Sequence, residues 1–122
     1  MMPENNYRYI DLETILEMAD GESDFIISII SVYLTSIPES LEQLILASGN
    51  NDTENIVFYV HKLKGSFNFI GCTLLTDIFL KIEAYCTSGE HMEEIPALVA
   101  EVEKLAAEVT LELQDVMEKV SS

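Results

Sequence analysis

Tryptophan is absent from this 122-residue chain, and proline, glycine and cysteine are scarce, at three, five and two residues. So little turn-forming material excludes a long linker, and no period-two alternation is sustained enough to suggest a sheet. Basic side chains are also few: six Lys and Arg face 22 Asp and Glu, a formal net charge of −16. Such a field repels phosphate backbones and anionic lipid surfaces, so neither a nucleic acid nor a membrane is expected as a partner. Solubility is the plainest reason for the acidity. Long apolar runs are lacking too. The longest, Phe25 to Leu34, contains two serines and is about half a bilayer span. Residues 1–6, Met-Met-Pro-Glu-Asn-Asn, have neither the basic nor the apolar region of a secretory signal. The start at Met1 favours a free-standing protein over a piece of a larger one. Cys72 and Cys86 fall fourteen positions apart in what reads as one helix, roughly 21 Å and beyond disulfide reach. They read as small hydrophobes of a reducing compartment, and a cytoplasmic location is expected.

What is present is helical. Hydrophobic residues make up 48% of the chain, enough for one core, and charged residues 23%, too few for wholesale disorder. Apolar residues recur at three- and four-residue spacing. Six helices are predicted: about Asp11 to Met18; Glu22 to Ser36, capped by Ser23 or Asp24; Pro38 to Ser48, with Gly49 as a left-handed stop; Asn51 or Asp52 to Ile70; Cys72 to Thr87, with Gly71 before it and Ser88-Gly89 after; and Glu93 to Val120. The later three carry narrow stripes: Ile56/Val60/Leu63/Phe67/Ile70; Cys72/Leu75/Phe79/Ile82/Cys86; and Ile95/Leu98/Val102/Leu105/Val109/Leu113/Val116/Val120. Seams of this kind are buried between neighbouring helices at small crossing angles. The expected fold is all-α: one domain, core about 11–120, an antiparallel four-helix bundle with short additional helices at the N-terminal side.

On a helical wheel the Ile56-to-Ile70 stripe leaves His61 roughly 150° from its centre, facing solvent. Gly65, one turn on, and Phe58, one turn before, share that outer face. A glycine inside a helix costs about 1 kcal/mol relative to alanine, and here it removes a side chain that would keep another surface from His61. No acidic residue occurs from Asn55 through Thr76, yet Lys62 and Lys64 do. Along the sequence this is a basic island in an acidic field, suited to holding a phosphoryl group. An exposed phenylalanine beside it reads as docking surface. Neutral imidazole is nucleophilic near pH 7 and is a competent phosphoryl acceptor. By contrast His91 reads as a loop histidine without a role, and Tyr59 and Phe69 as packing against adjoining helices.

The run His61-Lys62-Leu63-Lys64-Gly65-Ser66, with Ile70-Gly71 after it, resembles the signature of histidine-containing phosphotransfer (HPt) domains of two-component phosphorelays. The likeness extends over roughly residues 10–90: Gly21 to Phe25, Pro38 with Leu41 and Leu44, Asp52, and later Leu75 and Ile82-Glu83. It implies that His61 accepts a phosphoryl group from the aspartyl phosphate of a receiver domain and passes it to another receiver. It further implies that Lys64 faces the phosphoryl oxygens and Gly65 leaves room for the receiver. Lys62, Phe58, Leu12, Ile15 and Leu16 become candidate docking residues. Two positions depart from the family pattern: Phe67, where a second small residue is common, and Cys72, where alanine is; both are expected to be buried. The partners implied are response-regulator receiver domains and a hybrid sensor histidine kinase, with the domain itself a monomer.

The chain has no Gly-rich phosphate loop and no kinase signature, so no ATP-dependent activity and no cofactor of its own are expected. Mg²⁺ and the acceptor aspartate are expected to come from the partner. Two alternatives belong to other classes. One is a helical adaptor without phosphotransfer. The other is an acyl-carrier-like protein, for which Glu39-Ser40-Leu41 is a near match to an attachment motif.

Overall fold

The computed structural model describes residues 2–121; Met1, the ground for expecting a free-standing protein, and Ser122 lie outside the described residues. Those residues hold five α-helices, one 3-10 turn and no strand. The helices are α1 (Glu13–Ala19), α2 (Ser23–Gly49), α3 (Thr53–Ile70), α4 (Thr73–Ser88) and α5 (Ile95–Ser121), with the turn at Met92–Glu94 leading into α5. Helix α2 packs on α3 and α5, α3 on α4, and α4 closes the ring on α5; α1 lies across α2 and α3. Short connections force neighbours to run antiparallel. Ring contacts show the register: Phe67 of α3 meets Phe79 of α4 at 5.8 Å, while Lys64, one turn earlier, meets Glu83, one turn later.

The predicted stripe of α3 is its buried set, residue for residue. That helix is capped by Asp52, whose carboxylate accepts from the Asn55 amide. It ends at Gly71 in the left-handed region, φ 80°. This glycine is required twice over. Its φ suits only a residue without a side-chain penalty, and a Cβ there would collide with the carbonyl oxygen and Cβ of Asp11. The Asp11 amide in turn donates to the Ile70 carbonyl, 3.0 Å, stitching the N-terminal segment to the end of α3.

Four expectations are corrected. The second and third predicted helices are one, α2, with Pro38 inside it. Proline removes one backbone bond, but the buried stripe Ile26, Ile30, Ile37, Ser40, Leu44 runs straight through, and burial outweighs the local signal. Neither Ser23 nor Asp24 caps α2; Glu22 occupies the cap position without a side-chain bond. Gly49 is still helical, and the left-handed residue that turns the chain is Asn51, φ 52°. On α5 the wall is built from Val99 and Ala106, while Leu98 and Leu105 are only half-buried. Cys72 is buried and Cys86 half-buried, both as free thiols, and burial pushes both upward from the ordinary thiol range.

Joined through Pro38, α2 is long and apolar enough, by length and composition, to cross a membrane. In the bundle its Ile26/Ile30/Ile37/Leu44 stripe is inside, and Ser28, Ser31, Thr35, Glu39 and Glu42 are exposed.

Residues 5–12 form a strap that no periodicity announces. The Glu112 carboxylate accepts from the amides of Arg8, Tyr9 and Ile10 at 3.0–3.1 Å. The Tyr7 hydroxyl donates to Asp115, 2.8 Å. Burial first, and then that bond, hold the Tyr7 hydroxyl above the usual phenol range.

Candidate functional site: an exposed histidine on the third helix

Helix α3 spends one face on the core and presents the other to solvent. His61 is in the middle of that outer face, with its side chain 79% exposed. Phe58, one turn earlier, is 59% exposed and braced edge-on by the Tyr59 ring at 4.9 Å. Gly65, one turn later, is exposed, and a Cβ built on it would meet nothing within 4 Å. Among the described residues, no packing contact therefore demands glycine at 65. What the residue keeps open is the approach from outside.

Glu54, Asn55, Val57, Phe58, His61 and Lys62 line a shallow, mostly apolar depression. All six belong to α3, so this is an open shelf on one helix and not a pocket that could enclose a small substrate. Lys62 is exposed and turns toward α2, where Glu39 and Glu42 line the adjoining groove. Lys64 behaves differently: it is three-quarters buried and paired with Glu83 of α4 through a 2.5 Å contact. The other oxygen of the same carboxylate stands 3.9 Å from Nδ1 of His61.

The basic island is thus basic along the sequence but not in space. Glu83 was visible in the sequence only as a family landmark. Its place beside His61 depends on the antiparallel register of α3 and α4, and the two-stripe match of Phe67 with Phe79 is the signal that could have located it. His61, Lys64, Gly65 and Phe58 lie on one surface with Glu83 added.

Leu12 and Ile15 do not join them. Both are completely buried, Leu12 at the N-cap of α1 and Ile15 on its inner face, so they are core residues and not docking surface; Leu16 is partly buried against the same core. Their i, i+3 spacing is what α1 uses to seat itself on α2 and α3. Phe67 and Cys72 are buried, as expected of core positions. Phe69 is half-buried against Tyr33, ring centroids 6.1 Å apart. His91 is exposed in the left-handed region, φ 60°, with Nδ1 3.1 Å from Glu94. Ser40, the serine of the acyl-carrier alternative, is 3% exposed, inside α2 and out of reach of a transferase; that reading falls.

An all-helical ring of four long helices, with a solvent-facing histidine on an open mid-helix shelf and a glycine one turn beyond, defines a histidine-presenting bundle. The Hpt domain family matches residues 28–121, and the chain belongs to it. The phosphorelay intermediate protein rdeA of Dictyostelium discoideum is 30% identical over 105 residues, covering 86% of this chain and 41% of that protein. The chain thus spans less than half the length of that relative. No solved structure matches it.

Proposed function

We propose that this protein is a phosphorelay intermediate: His61 takes a phosphoryl group from the aspartyl phosphate of one receiver domain and gives it to the aspartate of another. The observation that carries the reading is the 79% exposed imidazole of His61 between an open Gly65 and an exposed Phe58, in a chain of the Hpt family. The similarity to a protein named as a phosphorelay intermediate supports it.

The chemistry follows from the atoms. The Glu83 carboxylate beside Nδ1 favours the tautomer with its proton on Nδ1, which leaves the Nε2 lone pair free. Nε2 attacks the phosphorus of the donor's acyl phosphate. The N–P bond forms as the P–O bond breaks, and the aspartate leaves as carboxylate with the electron pair of that bond. The imidazole, still protonated on Nδ1, becomes an imidazolium facing Glu83. Return of the phosphoryl group to a second aspartate reverses each step. Lys64 lies one turn from the reacting nitrogen and can meet the phosphoryl oxygens. The receiver brings Mg²⁺ and the acceptor carboxylate, so in-line alignment is completed only in the complex. The distal donor is a hybrid sensor histidine kinase, the setting is cytoplasmic, and the bundle acts as a monomer.

The test is incubation with a panel of phosphorylated receivers, followed by assay for acid-labile, base-stable phosphate on this chain. Wild-type protein is expected to become labelled. His61→Gln is expected to take up none while its helical circular dichroism is unchanged, because so exposed a side chain contributes little to packing. Equal labelling of the variant would refute the assignment. Receiver binding indifferent to His61, with no labelling at all, would support the adaptor reading instead.

A further inference from the structure

One carboxylate, Glu83, serves two cations of the same reaction. Its Oε1 holds the Lys64 ammonium and its Oε2 stands 3.9 Å from Nδ1 of His61. The charged groups around the imidazole are Lys62 and Lys64 from α3 and Glu83 from α4, with Glu54 at the far edge of the shelf. Glu83 is the negative charge nearest the ring, only 21% exposed and therefore poorly screened. A phosphoryl group on Nε2 adds up to two negative charges within a few ångströms of it.

Resting on the phosphocarrier reading, we propose that Glu83 keeps the phosphohistidine labile and so speeds onward transfer. Two effects act in the same direction. The carboxylate competes with the phosphoryl oxygens for Lys64, so the cation that would stabilise the phosphorylated form is shared. Its charge, 3.9 Å away, also favours a proton on Nδ1 through space, and a phosphoimidazole protonated there is the form whose N–P bond breaks readily: the imidazole leaves neutral, taking the bonding pair onto Nε2 while Nδ1 keeps its proton. Glu83 is a positioning residue in this scheme. It touches His61 and Lys64, not the phosphorus.

The experiment separates this inference from the one beneath it. Wild type and Glu83→Gln are phosphorylated with phosphoramidate, a small N–P donor that needs no receiver, and the half-life of the phosphohistidine is followed by ³¹P NMR. Glutamine keeps the shape and removes the charge. The half-life is expected to lengthen by about three- to tenfold, the scale of one partly screened charge near 4 Å. ¹⁵N NMR of the unphosphorylated imidazole should show a smaller share of the Nδ1–H tautomer, a readout that mere packing would not move. Lys64→Ala should shorten the half-life more in the Glu83→Gln background than in wild type, because Lys64 is then unshared. Should Glu83→Gln fold poorly, Glu83→Asp serves: its shorter reach should give a half-life longer than that of wild type, and an unchanged one overturns the inference. Labelled wild type with half-life and tautomer unchanged by Glu83→Gln overturns the inference and leaves the carrier reading standing. Failure of wild type to be labelled on His61 by either phosphoramidate or receivers removes the carrier reading itself.

Discussion

At the scale of single residues, Gly65 separates what the fold needs from what the partner needs. A Cβ there meets no neighbouring atom within 4 Å, and its backbone is ordinary α-helix, not among the positive-φ residues. Gly65→Ala is therefore expected to stabilise the protein by about 0.5–1 kcal/mol through helix propensity. A larger residue, as in Gly65→Leu, should fold equally well and cut the rate of phosphoryl transfer from a receiver by tenfold or more on the order expected for an obstructed approach. Thermal melts and transfer kinetics on the same samples check both; a loss of stability, or undiminished transfer in the leucine variant, would count against the steric role. His61, Gly65 and Phe58 were legible because helical periodicity alone fixes which face a residue takes once the buried stripe is known. Glu83 was not, because its position depends on how two helices slide past each other, and that is set by the ring packing of Phe67 on Phe79. Leu12 and Ile15 were misread for a related reason. An amphipathic helix seven residues long has a face that only its neighbours can assign to core or surface.

At the scale of elements, the helices with both a clean stripe and an end signal, α3 and α4, were legible nearly to the residue. Gly71 and Gly89 end them in the left-handed conformation that few other residues accept. Helix α2 shows the limit of local signals: Pro38 reads as a helix start, yet tertiary burial on both sides of it holds one helix together. The leucines of α5 mislead differently. The three- and four-residue spacing put Leu98 and Leu105 in the stripe, whereas the helix buries Val99 and Ala106, one position further on. The N-terminal strap left no trace in periodicity, because its backbone bonds go to a side chain more than a hundred positions away. Its dependence on Glu112 can be measured. Glu112→Ala leaves the amides of Arg8, Tyr9 and Ile10 without their acceptor, and bonds to a charged group are worth about 1.5–3 kcal/mol each when partly shielded. Fast hydrogen exchange at those three amides is expected, with a fall in overall stability of about 2 kcal/mol as Ile10 loosens from the core. Protection unchanged at all three would show that other contacts hold the strap.

At the scale of the whole molecule, two electrostatic effects oppose each other as pH falls. A net charge of −16 on 122 residues repels itself, and protonating ordinary carboxylates relieves that repulsion. Asp11 and Asp115 work the other way. The Asn5 side chain and the Glu13 amide hold the Asp11 carboxyl below its ordinary value, and Lys119, then Tyr7, do the same for Asp115. A group whose pKa is lowered by folding adds stability that is complete above its unfolded value and is lost as pH falls through its folded one. The melting temperature is therefore expected to rise as pH drops from 7 to about 5, where repulsion eases while these two carboxyls stay ionised, and to fall below about pH 4 as they protonate. Salt distinguishes the two limbs. At roughly 0.5 M NaCl the screening length shrinks to a few ångströms, so long-range repulsion is already suppressed at pH 7 and the rise toward pH 5 should flatten. The short hydrogen bonds at Asp11 and Asp115 are screened far less, and the fall below pH 4 should remain. Thermal melts across pH at low and high salt decide it: a rise toward pH 5 of equal size at both ionic strengths would mean that specific contacts, not the acidic field, set the stability of this bundle near neutrality.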